Sequence, residues 1–506
     1  MLFRSGAAAY QDSLDVAATT AVAALTLANP ANLRATQSGD LSLTAAKAGS
    51  LAGDVAVALT SNANGVGGLS NIALAGRTVT VTGAAYDLAN ASYASTLALG
   101  NRRVGYAVDV AIANAVRANG SAAYQDSLDL TVTKDNANLT LAGATANVAA
   151  AGSANVGVTA SAAGSLAATL SLGLVSNANN VADLANVTQA GGSIAVTGAA
   201  YDYAQATFGG ATVAFGNVRT GATSSVSLTN TTYTNAAYQD SLDAVASTAV
   251  GTLAVTSPAN LAAGATGYVG VKAKQAGSLA GNVSVALTSN ANGVLDLTGK
   301  SLGTATLAVT GAAYDFAAAT LAASSLDLGN LRIGGTKTLG VTNTLAANGN
   351  AAYQDKLAVA ATSGNANLAF VNPADIAATA TDNVVFRAAS AGTLAGTATL
   401  ALTSKALAGT GLGDLTLASK SVTLTGAAYD YASPSYAAAM DLGNVRKGGA
   451  VTRSVGNAVV LSAAYQDNLL VTATTASQTL AVGAPATAIA AGASGNLSFT
   501  ASAVGS

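Results

Sequence analysis

The stretch Ala8-Ala9-Tyr10-Gln11-Asp12 is the first of five copies of Ala-Ala-Tyr-Gln-Asp in this chain of 506 residues. The later copies place their tyrosines at Tyr124, Tyr238, Tyr353 and Tyr465, at intervals of 114, 114, 115 and 112 residues. This period is much longer than the roughly 20–50 residues of solenoid and propeller repeats. Because a segment of this length can enclose a hydrophobic core of its own, each repeat is predicted to be a separate domain.

Three further sequence markers recur with the same period and in the same order. They are Gly-Ala-Ala-Tyr-Asp with Tyr86, Tyr201, Tyr314 and Tyr429; (Leu/Phe)-Gly-Asn-x-Arg-x-Gly with Asn101, Asn217, Asn330 and Asn444; and Ala-Gly-(Ser/Thr)-Leu-Ala with Gly49, Gly164, Gly277 and Gly392. Four independent markers in one order establish a tandem repeat.

Within each repeat, apolar residues alternate with small or hydroxyl-bearing residues. Val283, Val285 and Leu287, for example, are separated by Ser284 and Ala286. The same alternation is present at Val79 and Val81, at Ala398, Leu400 and Leu402, and at Val422 and Leu424. Period two indicates half-buried antiparallel strands, and clusters such as Ser-Asn-Ala-Asn-Gly between them favour turns. Roughly seven such strands per repeat are typical of a β-sandwich. The predicted fold is all-β, with tandem immunoglobulin-like β-sandwich domains arranged as beads on a string.

The order of the markers sets the predicted domain boundaries. The (Leu/Phe)-Gly-Asn-x-Arg-x-Gly string is interpreted as the turn of an opening hairpin that leads into a strand such as 226–231, and the Tyr-Asp string as the close of a unit. The predicted domains are 1–92, 93–207, 208–321, 322–435 and 436–506. With these boundaries, the first domain lacks its opening strands and the last domain lacks its closing strands. The chain is therefore expected to be a piece of a longer protein.

The opening strings resemble those of a known class of surface protein. Residues 328–335, Leu-Gly-Asn-Leu-Arg-Ile-Gly-Gly, precede Leu-Gly-Val-Thr-Asn-Thr at 339–344, and residues 215–221 precede a similar strand at 226–231. This pattern resembles the repeats of bacterial choice-of-anchor D proteins, which are related to the ASPM/SPD-2/Hydin type of immunoglobulin-like domain. The resemblance implies a secreted, repetitive, surface-attached protein. The second repeat departs from the pattern at Arg102 and at 113–115.

Composition excludes several classes of protein. Charged residues make up only 9% of the chain and the net charge is −2, with Lys and Arg scattered singly. Nucleic-acid binding needs a clustered basic surface, and binding to an anionic membrane surface needs a polybasic patch. The two long charge-free stretches, 136–182 and 468–506, hold no run of eighteen apolar residues, so no transmembrane helix is predicted. The start of the chain lacks the apolar core of a signal peptide, but it falls inside a repeat and therefore does not indicate the compartment.

The inventory of reactive side chains argues against catalysis. The chain contains no His and no Cys, which removes Ser-His-Asp and Cys-His chemistry together with the common zinc sites. Motifs that recur in every repeat also have the wrong distribution for a single active site. The protein is predicted not to be an enzyme and to bind no cofactor.

Aspartates at the Tyr-Gln-Asp strings are the candidates for a metal site. Three copies carry a second carboxylate three residues later, and the six residues are Asp12, Asp15, Asp126, Asp129, Asp240 and Asp243. Paired acidic loops can bind Ca²⁺, but such a site needs six or more oxygen ligands. The fourth and fifth copies have Ala358 and Leu470 at the second position. The alternative, a turn that enters a strand beside a packed tyrosine, is favoured.

The arginine of each opening string is a candidate structural residue at the junction of two repeats. These arginines, Arg103, Arg219, Arg332 and Arg446, are predicted to pair with the aspartate that closes the previous unit, from the set Asp87, Asp202, Asp315 and Asp430. Exposed ion pairs contribute only about 0–1 kcal/mol, so their expected role is to orient neighbouring units.

These features predict a non-catalytic structural or adhesin-type repeat region that forms an extended stalk at the bacterial cell surface or in a secreted protein. Two alternatives remain open at this point: a multivalent array that binds glycans or proteins of a host or neighbouring cell, and the passenger of an autotransporter-type protein. Clustered exposed aromatic residues would favour glycan binding, whereas most aromatic residues here sit at repeat-locked positions.

Overall fold

The chain is built almost entirely of β-strands. The computed structural model describes residues 8–506, and within that range it contains forty strands, five single-turn 3-10 helices and no α-helix. Burial alternates along the strands as predicted: Val283, Val285 and Leu287 are buried, and the residues between them are more exposed. Burial of each such side chain contributes roughly 1.5–3 kcal/mol. The predicted all-β fold class is confirmed.

Strand pairing divides the described residues into five successive units. The first contains β1 (Ser13–Thr20), β2 (Leu25–Ala28), β3 (Ser42–Ala45), β4 (Gly49–Ser50), β5 (Gly53–Asn62), β6 (Ile72–Val81) and β7 (Ala84–Ala85). The second contains β8 (Ala91–Ser92), β9 (Thr96–Arg103), β10 (Ala107–Asn114), β11 (Ser127–Lys134), β12 (Leu139–Ala142), β13 (Thr145–Val148), β14 (Ser153–Ala160), β15 (Gly164–Ser165), β16 (Ala168–Asn177), β17 (Val187–Thr188) and β18 (Gly192–Tyr201).

The third and fourth units have the same order of long strands. The third contains β19 (Ala206–Phe208), β20 (Thr212–Arg219), β21 (Thr223–Asn230), β22 (Ser241–Thr248), β23 (Leu253–Thr256), β24 (Thr266–Ala273), β25 (Gly277–Ser278), β26 (Gly281–Asn290) and β27 (Lys300–Tyr314). The fourth contains β28 (Ala319–Leu321), β29 (Ser325–Arg332), β30 (Thr336–Asn343), β31 (Lys356–Ser363), β32 (Leu368–Val371), β33 (Thr381–Ala388), β34 (Gly392–Thr393), β35 (Gly396–Lys405) and β36 (Leu415–Tyr429).

The fifth unit contains β37 (Pro434–Tyr436), β38 (Ala450–Asn457), β39 (Leu480–Gly483) and β40 (Ser494–Ala501). The five 3-10 helices coincide with the Ala-Ala-Tyr part of the repeated string. They are Ala8–Tyr10, Ala122–Tyr124, Ala236–Tyr238, Ala351–Tyr353 and Ala463–Tyr465.

The third unit illustrates the sandwich. One sheet has the order β19-β21-β24-β23 and the other β20-β27-β26-β22, with the short β25 paired to β27. Inward-facing residues of both sheets, among them Val226, Val269, Val285 and Leu307, form one core cluster between them. The second and fourth units form equivalent clusters of their own. Each complete sandwich therefore has its own core.

The opening string does not form a hairpin, contrary to the prediction from sequence. β20 runs through the string as far as Arg219 and pairs in parallel with β27, whereas β21 lies in the opposite sheet. The parallel pair depends on close approach of two backbones at a register shift. Gly311 has a φ of +124°, and a Cβ there would overlap the carbonyl oxygen of Gly216. Only glycine combines this conformation with so close a neighbour.

The first and fifth units lack the strand partners present in the others. Among residues 8–506 no strand pairs in parallel with β6, and β6 is exposed over nearly its whole length, including Val79. The fifth unit consists of the single sheet β37-β38-β40-β39. Strands equivalent to β29 and β31 are held in the fourth unit by β36 and β35. Since the described part of the fifth unit has no counterpart of that pair, segments 440–446 and 468–474 form no strand.

The short strands at the start of the units bear on the predicted domain boundaries. β8 and β19 lie just before or across the boundaries at 92/93 and 207/208, yet they pair with β10 and β21 of the following unit. The division into five domains stays a prediction, and strand pairing favours boundaries a few residues earlier. In the described part of the chain, no helix has the length and apolar character needed to span a bilayer.

Candidate functional site

The repeated strings meet where one unit follows another. At the junction of the second and third units, the Asp202 N–H donates to the Tyr238 carbonyl oxygen at 2.9 Å, and the Asp240 N–H donates to the Asp202 carbonyl oxygen at 3.0 Å. The rings of Tyr201 and Tyr238 lie 5.4 Å apart. The same bridge and ring pair recur with Asp87 and Tyr124, Asp315 and Tyr353, and Asp430 and Tyr465. The four junctions thus share one backbone geometry.

The arginines of the opening strings form ion pairs across these junctions, but with a different aspartate from the one predicted. Arg103 Nη1 lies 2.8 Å from Asp240 Oδ1, and Arg219 Nη1 lies 2.8 Å from Asp355 Oδ2. Arg332 pairs with Asp467. Each partner belongs to the Tyr-Gln-Asp string of the next unit, not to the string that closes the previous one. The prediction failed because β9, β20 and β29 lie beside the last strand of their own unit, which brings the arginine to the far end of that unit.

The same arginines stack on an aromatic residue in the linker. The guanidinium carbon of Arg103 lies 4.3 Å from the ring centroid of Tyr203, and that of Arg219 lies 4.4 Å from Phe316. Arg332 lies 5.0 Å from Tyr431. Each ring follows the closing aspartate directly. A cation within about 6 Å of a ring face contributes roughly 0.5–2 kcal/mol, so the ion pair and the stacked ring together fix the arginine.

The opening string also binds a loop of the following unit. Asn101 Nδ2 donates to the Leu295 carbonyl oxygen at 3.1 Å, and Arg103 Nη2 donates to the Thr298 carbonyl oxygen at 3.1 Å. At the next junction the equivalent residues Asn217 and Arg219 donate to the carbonyl oxygens of Thr410 and Gly413. In both cases the loop joins the last two long strands of the next unit. The asparagine and arginine of the motif therefore connect neighbouring sandwiches.

The linker itself is clamped by buried side chains. The Ala317 N–H donates to Ser404 Oγ at 2.8 Å, and Ser404 Oγ donates to Asp355 Oδ2 at 2.7 Å. Ala317 belongs to the core cluster of the fourth unit. Ala89 with Ser176 and Asp126, and Ala204 with Ser289 and Asp240, repeat the arrangement. Because its backbone is held in the core of the next unit, the linker is not a free tether.

A buried amide pair lies beneath each complete junction. Asn343 is fully buried, and its Nδ2 donates to the carbonyl oxygens of Asp355 and Ile376. Its Oδ1 accepts hydrogen bonds from Gln354 Nε2 and from the Ala318 N–H. Asn114 with Gln125, Asn230 with Gln239 and Asn457 with Gln466 form equivalent pairs. All four hydrogen-bonding positions of each of these asparagines are satisfied, as a buried amide requires.

Two of these residue sets were missed by the sequence analysis. The serine that contacts the linker was taken as part of a turn cluster, although Ser289 continues the inward-facing series of Val283, Val285 and Leu287. A polar residue on the buried side of an alternating strand is a detectable signal. The buried asparagine lies in the strand that was assigned to an opening hairpin, and the sequence indicated no partner for it that would imply burial.

The remaining predicted junction residues have individual surroundings. Asp202 Oδ2 accepts a hydrogen bond from Thr234 and Asp315 Oδ1 from Thr220, each at 2.5 Å. Asp430 Oδ2 is buried and has no hydrogen-bond partner among the described residues. Arg446 forms no ion pair in the described part of the chain, where segment 440–446 is not a strand. The structural role predicted for these residues stays a prediction.

Asp327, immediately before the opening string of the fourth unit, is an exposed group with a shifted pKa. Its carboxylate accepts hydrogen bonds from the Gly329 N–H and the Thr425 hydroxyl, both at 2.9 Å. These bonds, the backbone one foremost, hold the pKa of Asp327 below its usual value. Because the folded pKa is lower than the unfolded one, the stabilisation is present above the unfolded pKa and is lost as the pH falls through the folded pKa.

The six candidate calcium ligands are occupied by hydrogen bonds within their own units. Asp126 accepts from Ser176 at 2.7 Å, and Asp129 accepts from Asn147 at 2.6 Å and Asn177 at 2.7 Å. The other pairs follow the same scheme: Asp12 with Ser61, Asp15 with Asn62, Asp240 with Ser289, and Asp243 with Asn290. Within residues 8–506 no three acidic side chains converge on one point. The paired carboxylates therefore act as acceptors for Ser and Asn.

Removal of divalent cations is expected to leave the protein unchanged. Since Ser and Asn side chains already satisfy these carboxylates, adding EDTA should not alter the temperature of unfolding measured by circular dichroism, and re-adding Ca²⁺ should not raise it. A Ca²⁺-dependent rise that disappears in the double variant Asp126→Asn/Asp129→Asn would instead assign a metal site to the second unit.

The chain is similar to solved structures of domains in series. An E-to-A variant of a three-immunoglobulin (3Ig) structure of titin aligns with 67% of this chain and 99% of its own chain, at 7% identity and a TM-score of 0.30. A fragment of mouse cadherin-23 aligns with 67% of this chain and 96% of its own, at 11% identity and a TM-score of 0.30. The ectodomain of human desmocollin-1 aligns with 82% and 72%, at 8% identity and a TM-score of 0.24.

No protein-family model and no curated protein sequence matches the chain. At the identities and TM-scores of the structural matches, the likeness identifies neither a family nor a function. The fold assignment therefore rests on the strands, sheets and cores of this chain itself.

Proposed function

We propose that this chain is a non-catalytic structural repeat region that acts as an extended stalk in a bacterial cell-surface or secreted protein of the choice-of-anchor D type. The observation that carries the proposal is the junction, which repeats the same contacts from one unit to the next. The Asp–Gln backbone bridge and the tyrosine pair recur at all four junctions. The ion pair across the junction and the linker alanine buried in the next core each recur at three.

A spacer needs a fixed angle between neighbours more than it needs a binding pocket. Flexible linkers between domains allow relative motion by default, whereas here the linker N–H of Ala317 is hydrogen-bonded inside the next sandwich. The asparagine and arginine of the opening string add contacts to a loop of the next unit at the same junction. Together these contacts oppose motion of one unit relative to the next.

Small-angle X-ray scattering of the whole chain tests the proposal. A single compact body of this length would have a radius of gyration of about 23 Å, and we expect a value roughly twice as large, with a scattering profile typical of a rod. A compact globule would overturn the stalk. Reproducible binding on a glycan array, lost when exposed tyrosines are replaced, would favour the multivalent binding array instead.

A further inference from the structure

Four strands occupy equivalent places in the larger sheet of their units. They are β1, β11, β22 and β31, and three of them, β1, β22 and β31, are edge strands. In the second unit the edge is covered, because β13 pairs with β11 and the Val132 N–H donates to the Ala144 carbonyl oxygen at 2.7 Å. In the other three units no strand among the described residues covers it. An uncovered edge is a ready template for pairing with another chain.

A side chain takes the place of the missing strand in each of those three units. The Ala246 N–H donates to Ser257 Oγ at 2.6 Å. The equivalent N–H groups of Ala18 and Ala361 donate to the Oδ1 atoms of Asn29 and Asn372, each at 2.9 Å. These alanines correspond to Val132 of the covered strand. Each open edge therefore has an outward N–H already bound to an acceptor of its own unit.

A proline follows each of these acceptors: Pro30, Pro258 and Pro373. Proline has no N–H and cannot extend a ladder along the edge. The second unit has Ala144 at this position, and there the segment that follows forms β13. In the third unit the chain returns to the edge at one backbone bridge, between Leu242 and Leu261. The (Asn/Ser)-Pro segment is thus hydrogen-bonded to the edge strand without forming a strand itself.

We infer that the three (Asn/Ser)-Pro dipeptides prevent the edge strands from pairing with the same strands of a second copy of this chain. A second copy is the matching partner because it presents the same three edges at the same spacing, two repeats between β1 and β22 and one repeat between β22 and β31, so that several strand pairs would form together. The exposed apolar side chain of Val245, on β22, would add contact area to such a pairing.

The test is the triple variant Asn29→Ala/Ser257→Ala/Asn372→Ala, compared with the wild-type chain of 48.4 kDa. Size-exclusion chromatography with light scattering over a dilution series should give a weight-average mass at least about twice that of the wild type, since pairing of edges produces dimers and larger assemblies. The swapped variant Ser257→Asn/Asn372→Ser keeps an acceptor at each site and should retain the wild-type mass.

A matched control removes the same kind of hydrogen bond away from the sheet edges. Asn235 and Asn350 accept the backbone N–H groups of Ala237 and Ala352 at the starts of 3-10 helices. The variant Asn235→Ala/Asn350→Ala should keep the wild-type mass. Equal masses for the triple variant and the wild type, or an equal rise in the control, would overturn the inference. If the triple variant loses its β-sheet circular dichroism, the single variant Ser257→Ala, which uncovers one edge only, replaces it. Its weight-average mass is then compared with those of the wild type and the control in the same way.

Discussion

Replacing Asn343 by alanine is expected to lower the local free energy of unfolding of the fourth unit by about 4 kcal/mol, since each buried polar group left unpaired costs about 1–3 kcal/mol. The amide of Asn343 satisfies four groups: the carbonyl oxygens of Asp355 and Ile376, Gln354 Nε2 and the Ala318 N–H. Alanine satisfies none of them. Hydrogen exchange followed by mass spectrometry reads the effect as faster exchange in peptides of this unit.

The control for this change is Asn383→Ala, on the exposed side of β33 in the same unit. An exposed substitution of this kind changes stability by no more than about 0.5 kcal/mol. Exchange in the second unit should remain at its wild-type rate in both variants, because that unit has a separate core. Similar exchange rates for the two variants would contradict the role assigned to the buried amide.

The change Arg219→Ala is expected to cost about 3 kcal/mol at the junction of the third and fourth units, because it leaves a buried carboxylate without its counter-charge. The Asp355 side chain is fully buried, and its only side-chain hydrogen bond among the described residues is the one that Oδ2 accepts from Ser404. One fifth of the Arg219 side chain is exposed, so the expected cost is at the low end of the range for buried pairs. Faster hydrogen exchange in peptides that span 315–318 and 351–357 would report the loosened junction.

The chain contains its own comparison for this ion pair. In the Arg332–Asp467 pair the two side chains are 47% and 30% exposed, so Arg332→Ala should cost only about 0–1 kcal/mol. The double variant Arg219→Ala/Asp355→Ala should recover part of the loss, because no unpaired charge remains buried. Equal effects of the two arginine substitutions would exclude burial as the source of the difference.

Sequence reasoning reached the strands and the repeat because both depend on local patterns. Alternation at Val283, Val285 and Leu287 predicts a half-buried strand whatever its neighbours are. It does not say which strand lies beside it. For this reason β20 was predicted to form a hairpin with the strand that follows it, whereas it pairs in parallel with β27. The aspartate predicted to pair with Arg219 was wrong for the same reason.

For a related reason, the sequence indicated which repeated residues lie at the junctions but not the buried residues that contact them. The repeated Tyr, Asp and Arg residues were predicted to be structural, since residues that recur in every repeat have the wrong distribution for a single active site, and that role stays a prediction. Asn343 and Ser404 were not recognised, because asparagine and serine are mostly exposed in folded proteins. Asn343 is buried because β30 lies in the opposite sheet from β29, and Ser404 is buried because the linker at Ala317 packs against it. Both depend on the whole sandwich.

The parallel pairing of the opening strand with the last strand of the same unit also governs how the chain folds. Thr220 and Asp315, hydrogen-bonded beside the end of that strand pair, are 95 residues apart in sequence. Proteins dominated by such distant contacts fold slowly, in milliseconds to seconds. A unit that emerges from a ribosome cannot close this strand pair until almost all of it has emerged, so its opening strand stays without its partner until then. The array is therefore expected to fold one unit at a time, in the order in which the units emerge.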